Sequence, residues 1–321
     1  MQRDAEEVKD HELFEGITAR DLVKQMKAAW GFTAGELALG VEILEEMLRD
    51  PDCVRLLSFP ACIVATGTRG VLKELLRRRL FDAVVTTCGT LDHDIARSWG
   101  PYYRGSFDMD DGALYDRGIN RLGNVLIPQE GYGALIEGKM QKLLAELWDE
   151  GMRSISTREL CWEIGRRICP KGSLLHWAAE NRIPIFIPGI TDGAVGHQIW
   201  MFSQTHAMAI DLWRDERELG DLIFSRGRAG ALIIGGGISK HHTIWWSQFR
   251  GGLDYAVYIT SAVEWDGSLS GAKVKEAVSW GKVKKGAKRV TIEGEATVLL
   301  PLMIASLLTG LGGPEGHRDR L

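Results

Sequence analysis

Hydrophobic positions fall into short apolar runs separated by longer stretches with helical spacing. The runs are Ala61–Ala65, Ala83–Val85, Val125–Ile127, Ile183–Ile187, Ala231–Ile234, Tyr255–Ile259 and Val290–Ile292. Most lack polar alternation, as expected for strands buried on both faces. Between them, residues 72–79, 139–149, 157–168 and 215–224 repeat apolar positions every three or four residues and read as helices. Alternating strand and helix predicts βαβ units, an α/β fold and a mostly parallel sheet. The first fifty residues read as helical. Thr33 and Glu36 fit a capping box, with a helix running to about Leu48. The expected organisation is an N-terminal helical segment, residues 1–50, and one catalytic α/β domain, residues 51–321. No internal repeat or low-complexity segment interrupts it.

The strand ends carry more information than the strands. Ala83–Val85 runs into Thr86-Thr87-Cys88-Gly89, and Ile183–Ile187 into Pro188 through Gly193. Ala231–Ile234 runs into Gly235-Gly236-Gly237, and Tyr255–Ile259 into Thr260-Ser261-Ala262. Open parallel sheets bind ligands at the carboxyl ends of their strands. Glycines and small residues there let backbone approach a phosphate or sugar. One such turn is ordinary βα geometry; four in one chain point to a nucleotide site. G-x-G-x-x-G and the G-x-x-x-x-G-K-[ST] loop are both absent, which disfavours a standard dehydrogenase or ATPase.

Composition narrows the class. The 321 residues are 45% hydrophobic and 26% charged, enough for a sizeable core. A net charge of −4 with dispersed Lys and Arg gives no nucleic-acid surface. Cys53, Cys62, Cys88, Cys161 and Cys169 form no C-x-x-C pair, so neither a disulfide framework nor a thiolate metal site is expected. The first residues are charged, with no apolar core of a signal peptide, and no stretch has the length and apolarity of a membrane span. The expected location is the cytoplasm.

Candidate chemistry concentrates between Ile238 and Lys282. His241 and His242 follow a glycine turn, where a proton-handling histidine is expected. Adjacent histidines rarely share one ion, and no metal is expected. Glu264, Asp266 and Glu276 lie among tryptophans, a composition suited to alkylammonium ions by charge and cation–π attraction. Asp266-Gly267-Ser268 also reads as a plain turn. Lys282 follows Trp280-Gly281. Desolvation by an aromatic wall frees a lysine amine for imine formation. By pattern alone, with Lys284 and Lys285 close behind, Lys282 reads as a surface lysine.

Six words of this sequence resemble deoxyhypusine synthases, most of all the archaeal members. They are Asp82–Gly89 (DAVVTTCG), Gly118–Pro128 (GINRLGNVLIP), Ile190–Gly193 (ITDG), Gly235–His242 (GGGISKHH), Asp254–Tyr258 (DYAVY) and Glu276–Lys282 (EAVSWGK). They run in family order over roughly residues 55–310. The resemblance implies a Rossmann-like domain with helices on both faces, working as a homotetramer with active sites between subunits. It implies NAD-dependent transfer of spermidine's aminobutyl group, through an imine on Lys282, to a lysine of translation initiation factor 5A. 1,3-Diaminopropane is released. It also implies that the N-terminal segment reaches a neighbouring subunit.

Carried over by motif, the cofactor contacts would be Thr87, Cys88, Gly89, Asp192, Gly236, Ser261, Ala262, Asp266, Ser270, Glu295 and Ala296. His241 would handle protons, Trp280 would wall the alkyl chain, and Glu276 would hold an amine. Asp92, His93, His197, Gly267 and Leu269 would complete the substrate site. Three positions depart from the eukaryotic pattern. His197 and Leu269 stand where it has aspartates, and Asp92-His93-Asp94 stands where it has a glutamate pair before an aspartate. Such changes admit another donor, such as agmatine, or another acceptor, such as putrescine in a homospermidine synthase. An inactive NAD-binding scaffold is the alternative of another class, against which the intact Glu276–Lys282 word argues.

Overall fold

A computed structural model describes residues 6–312. The chain forms two compact units, one of residues up to Leu56 with Ile223 onward, the other of Leu57–Leu222. The boundary expected near residue 50 therefore does not set the N-terminal helices apart. They pack within the first unit because their apolar face has a sheet to cover. In helix Ala34–Arg49 the buried Leu37, Val41, Leu44 and Leu48 recur at helical spacing.

In this first unit, strand Leu253–Thr260 lies between Val283–Glu293 and Arg228–Ile234, parallel to both. Val257 pairs with Val290 on one side and Leu232 on the other. Arg228–Ile234 also neighbours Cys53–Ser58. The two central strands are almost wholly buried, which explains their continuous apolar runs. Parallel pairing has a consequence for function: the carboxyl ends of three strands share one rim. Residues 235–237, 261–262 and 294–296 follow those ends directly.

The second unit pairs Ala83–Val85 with Ile185–Phe186 in parallel and surrounds them with helices, among them Thr68–Arg77, Gly89–Trp99, Gly133–Asp149, Thr157–Arg167 and Ala194–Ser203. It also holds a three-stranded antiparallel sheet of Tyr103–Arg104, Ile119–Leu122 and Val125–Pro128.

Three local expectations are corrected. Ala61–Ala65 is a 3-10 turn, not a strand. The strand is Cys53–Ser58, masked in the sequence by Arg55, which is itself buried. Val125–Ile127 is a strand as expected, but it lies in an antiparallel hairpin rather than the parallel sheet, because Leu122 pairs with Val125 across the two-residue turn Gly123-Asn124. Thr33 makes no side-chain cap: its backbone is already in the helical region at φ −111° and ψ −9°, whereas a capping residue is extended. Capping boxes form instead at Thr18 with Asp21 and at Ser156 with Glu159.

Candidate active site

Lys282 is placed by a short helix and its stop. Helix Glu276–Ser279 ends with Gly281 at φ +69°. The Gly281 N–H donates to the Val278 carbonyl (3.0 Å), and the Lys282 N–H donates to the Ala277 carbonyl (3.0 Å). This double bond pattern is a Schellman motif, and its left-handed residue favours glycine. The turn delivers Lys282 to the start of strand Val283–Glu293, where its carbonyl accepts from the Leu253 N–H at 3.1 Å.

The side chain is only 9% exposed. Its Nζ lies 5.3 Å from the centre of the Trp280 ring and 5.9 Å from that of Trp245. The reading of Lys282 as a surface lysine is thereby overturned: the two indoles cover it, unlike the exposed Lys285 two residues after Val283. His241 stacks on the other neighbour of the site, its ring 5.8 Å from Trp245 at 21°. Lost hydration, aided by the Lys282 ammonium, draws the His241 pKa below its ordinary value. Its imidazole is therefore neutral near pH 7 and able to accept a proton.

These residues line a cavity of about 400 Å³. Glu276 stands at it as an exposed carboxylate, and Leu269 and Ala272 add apolar wall. Lys240, 1% exposed, crosses beneath: its Nζ donates to the carbonyls of Leu269 and Ala272, both at 2.7 Å, and sits 4.5 Å over the Tyr258 ring. Burial pulls its pKa down to about 8, against a smaller raising effect of Glu276. Lys273 pairs with Glu293 at 2.5 Å and with Glu264 at 3.6 Å.

The rim of the same unit collects the other predicted positions. Gly236 ends strand Arg228–Ile234's turn against the backbone of Ser270; an added Cβ would come within 2.4 Å of the Ser270 Cα. Thr260 fixes that loop by donating its hydroxyl to the Ser270 carbonyl at 2.8 Å, and it accepts from the Ala262 N–H at 3.1 Å. Asp266 accepts from the Ser268 N–H (2.6 Å), with Gly267 left-handed at φ +72°. The turn reading and the site reading are thus compatible. Glu295 caps helix Ala296–Leu311: its Oε2 accepts from the N–H groups of Thr297 (2.9 Å) and Val298 (3.2 Å). Ser261 and Asp266 are exposed, and Ala262 is half-buried.

In the second unit, Asp92 is 1% exposed and its carboxylate is occupied. It accepts from the Ala194 N–H (2.9 Å), the Val195 N–H (2.9 Å) and the Tyr132 hydroxyl (3.2 Å). The side chain expected to meet an amine instead satisfies the first turn of helix Ala194–Ser203, whose N-terminal donors need an acceptor. Burial raises its pKa, against those hydrogen bonds. His93, 8% exposed, has Nδ1 3.0 Å from the Tyr102 hydroxyl, and burial with nearby Arg97 draws its pKa down to about 4. Cys88 is fully buried, and desolvation raises its thiol pKa to about 12. The Thr87 hydroxyl accepts from the Ala61 N–H at 3.3 Å, and Gly89 opens helix Gly89–Trp99. Asp192 and His197 are exposed; His197 lies 5.5 Å from the Trp200 ring.

A family model described as deoxyhypusine synthase matches residues 21–307. The chain belongs to the deoxyhypusine synthase family. Its members are transferase enzymes. The chain is 52% identical over 304 residues to a "Probable deoxyhypusine synthase" of Picrophilus torridus, covering 94% of this chain and 97% of the relative. A relative of the same name from Ignicoccus hospitalis is 48% identical over 309 residues, covering 94% and 96%. A solved structure of "a putative deoxyhypusine synthase from Entamoeba histolytica" superposes with a TM-score of 0.67 at 21% identity, covering 93% of this chain and 96% of that one. That likeness shows the α/β fold with its mostly parallel central sheet. Among the described residues, no helix is long and apolar enough to cross a membrane.

Sequence reasoning missed Trp245, Gln248 and Tyr258 as cavity residues. A signal for the first two was present: His241, Trp245 and Gln248 recur at helical spacing in Gly237–Phe249 and so share a face.

Proposed function

We propose that this member of the family is a deoxyhypusine synthase acting on spermidine and on a lysine of translation initiation factor 5A. The observation that carries the reading is Lys282, an amine buried between two indoles with a neutral histidine beside it. The aromatic faces hold the amine away from bulk water, as an imine-forming lysine requires.

The residues of the rim fit NAD. The helix Gly237–Phe249 opens without a side-chain cap on a glycine turn, leaving backbone N–H groups for a phosphate. Glu295 keeps its Oε1 outside the cap, where it suits a ribose hydroxyl. Gly236, Ser261, Ala262, Asp266, Ser270 and Ala296 would complete the contacts in this unit. The family resemblance also names Thr87, Cys88, Gly89 and Asp192 as cofactor residues. When bound, NAD supplies a two-electron acceptor for the carbon beside the donor's secondary amine and returns the hydride to the product.

Lys282 Nζ adds to the imine carbon of the oxidised donor. The C–N bond to 1,3-diaminopropane breaks with its electron pair, and the departing amine takes the proton that Lys282 loses, with His241 as carrier. The aminobutyl group then stands on Lys282 as an imine. The acceptor lysine attacks the same carbon, and the Lys282 amine leaves. Trp280 and Trp245 exclude water that would hydrolyse the imine. Glu276 holds an amine end beside Leu269. The family resemblance adds Asp92, His93, His197 and Gly267 to the substrate residues. The active assembly would be a homotetramer with its sites between subunits, located in the cytoplasm.

The test is incubation with NAD, radiolabelled spermidine and factor 5A from the same organism. Label entering the factor, and lost in Lys282→Ala and Lys282→Arg, supports the reading. Label confined to a small polyamine shifts the reading to another acceptor. Active enzyme that borohydride leaves without an adduct on Lys282 would falsify the covalent route.

A further inference from the structure

The Lys282 cavity has two walls. One is helix Gly237–Phe249, which presents His241, Trp245 and Gln248; the other comes from the segment between Leu269 and Trp280. Much of that second wall has no regular structure, since residues 267–275 link the 3-10 turn Glu264–Asp266 to helix Glu276–Ser279. Such a segment keeps its place through partners that satisfy its backbone. The Thr260 hydroxyl donates to the Ser270 carbonyl at 2.8 Å, and the Thr291 hydroxyl accepts from the Val274 N–H at 2.9 Å. Both threonines stand on strands of the sheet. Lys240 is the anchor that comes from the opposite wall: its Nζ donates to the Leu269 and Ala272 carbonyls, both at 2.7 Å.

Hiding an ammonium from water is costly unless hydrogen bonds replace the lost hydration. Lys240 is 1% exposed, and the two carbonyls, with the Tyr258 ring 4.5 Å away, take the place of water. Hydrogen bonds from a charged donor are stronger than neutral ones. The pair of bonds therefore fixes the spacing of the two walls. Lys240 directly precedes His241, and the segment it holds leads through helix Glu276–Ser279 to Lys282.

We propose that Lys240 is a positioning residue, which clasps residues 269–272 to helix Gly237–Phe249 and so sets Lys282 and His241 at their working separation. The inference rests on the amine-transfer reading of the same cavity. Lys240 is not itself a reacting amine, because its Nζ would first have to release both carbonyls. On the cofactor side Ser270 is held separately, by the Thr260 hydroxyl and by close packing against Gly236. Loss of the clasp should therefore loosen the amine side and spare NAD affinity.

The experiment compares the full-length protein with Lys240→Met, which keeps length without a donor, and Lys240→Arg, which keeps donors but forms no useful imine. Hydrogen–deuterium exchange is read at Gly271 and Ala272, whose N–H groups donate to the Ser268 carbonyl, with strand Leu253–Thr260 as internal reference. NAD affinity and label transfer from spermidine are measured on the same samples. Lys240→Met is expected to exchange about tenfold or more faster at the two amides, to lose about tenfold or more in kcat, and to bind NAD within about twofold of the native protein. Across the variants kcat should follow protection of the segment, so an arginine that restores protection also restores transfer. Unchanged exchange in Lys240→Met, or exchange raised equally in the reference strand, overturns the clasp. So does faster exchange with unchanged kcat, or NAD affinity lost as strongly as kcat. A protected segment without transfer in Lys240→Arg would make Lys240 a reacting amine and overturn the positioning role; that comparison stands alone if Lys240→Met does not fold. Native protein that transfers no label, with a segment that Lys240→Met still loosens, would sustain the clasp while refuting the transfer reaction.

Discussion

His93 gives the sharpest test of the electrostatics. It is 8% exposed, hydrogen-bonded to Tyr102, packed 5.4 Å from the Tyr132 ring, and near Arg97. Burial first, and the Arg97 charge second, lower its pKa from 6.5 to about 4. Between those values the unfolded chain binds a proton that the folded chain refuses. The lowered value therefore contributes stability that is complete above pH 6.5 and fades as pH falls toward 4. At about 1.4 kcal/mol per pH unit, full protonation would cost about 3 kcal/mol, of which about 2 kcal/mol is lost by pH 5. The perturbation is therefore His93→Gln, which keeps a polar side chain but cannot titrate. Urea unfolding at pH 8 and pH 5 should show the native protein losing about 2 kcal/mol more than the variant. Parallel losses in the two proteins would refute the argument, as would an imidazole NMR resonance of His93 that titrates near pH 6.5.

Four further outcomes are expected. Gly281→Ala forces a left-handed alanine at φ +69° and should cost about 1–2 kcal/mol by thermal melting; activity should fall further than stability, because the same turn aims Lys282. Gly236→Ala meets the Ser270 backbone at 2.4 Å and should weaken NAD binding, read by quenching of tryptophan fluorescence, with Gly286→Ala, whose added Cβ meets nothing within 4 Å, as the control. Asp94→Ala strips a fully buried carboxylate from Arg69 Nε (2.6 Å) and the Leu175 N–H (2.9 Å) and should cost about 3–5 kcal/mol in denaturant unfolding. Lys282→Arg should keep the fold and shift the melting temperature by less than about 4 °C, the effect of about 1 kcal/mol, yet lose group transfer, because guanidinium forms no useful imine.

Some elements were legible because short-range pattern decides them. The continuous apolar runs at Ala231–Ile234 and Tyr255–Ile259 are strands buried from both sides. Glu276–Lys282 carries its own stop signal, since glycine after a short helix marks a left-handed cap. Other elements were not legible, since a five-residue apolar run such as Ala61–Ala65 has no period to read. Cys53–Ser58 was hidden because Arg55 breaks its apolar pattern, although the arginine is buried.

The sequence by itself determined the fold class, the family and the residue types available for chemistry, because these follow from period, motif order and composition. It left Lys282 looking like an exposed lysine and Asp92 like a ligand for an amine. Only tertiary structure decided both. Trp245 comes from a different helix to cover Lys282, and the N-terminal turn of Ala194–Ser203 claims the Asp92 carboxylate. The physical reason is common to the two. Whether a charged side chain is solvated, paired or walled depends on what folds against it, and those neighbours lie 37 and about a hundred residues away, beyond any local pattern.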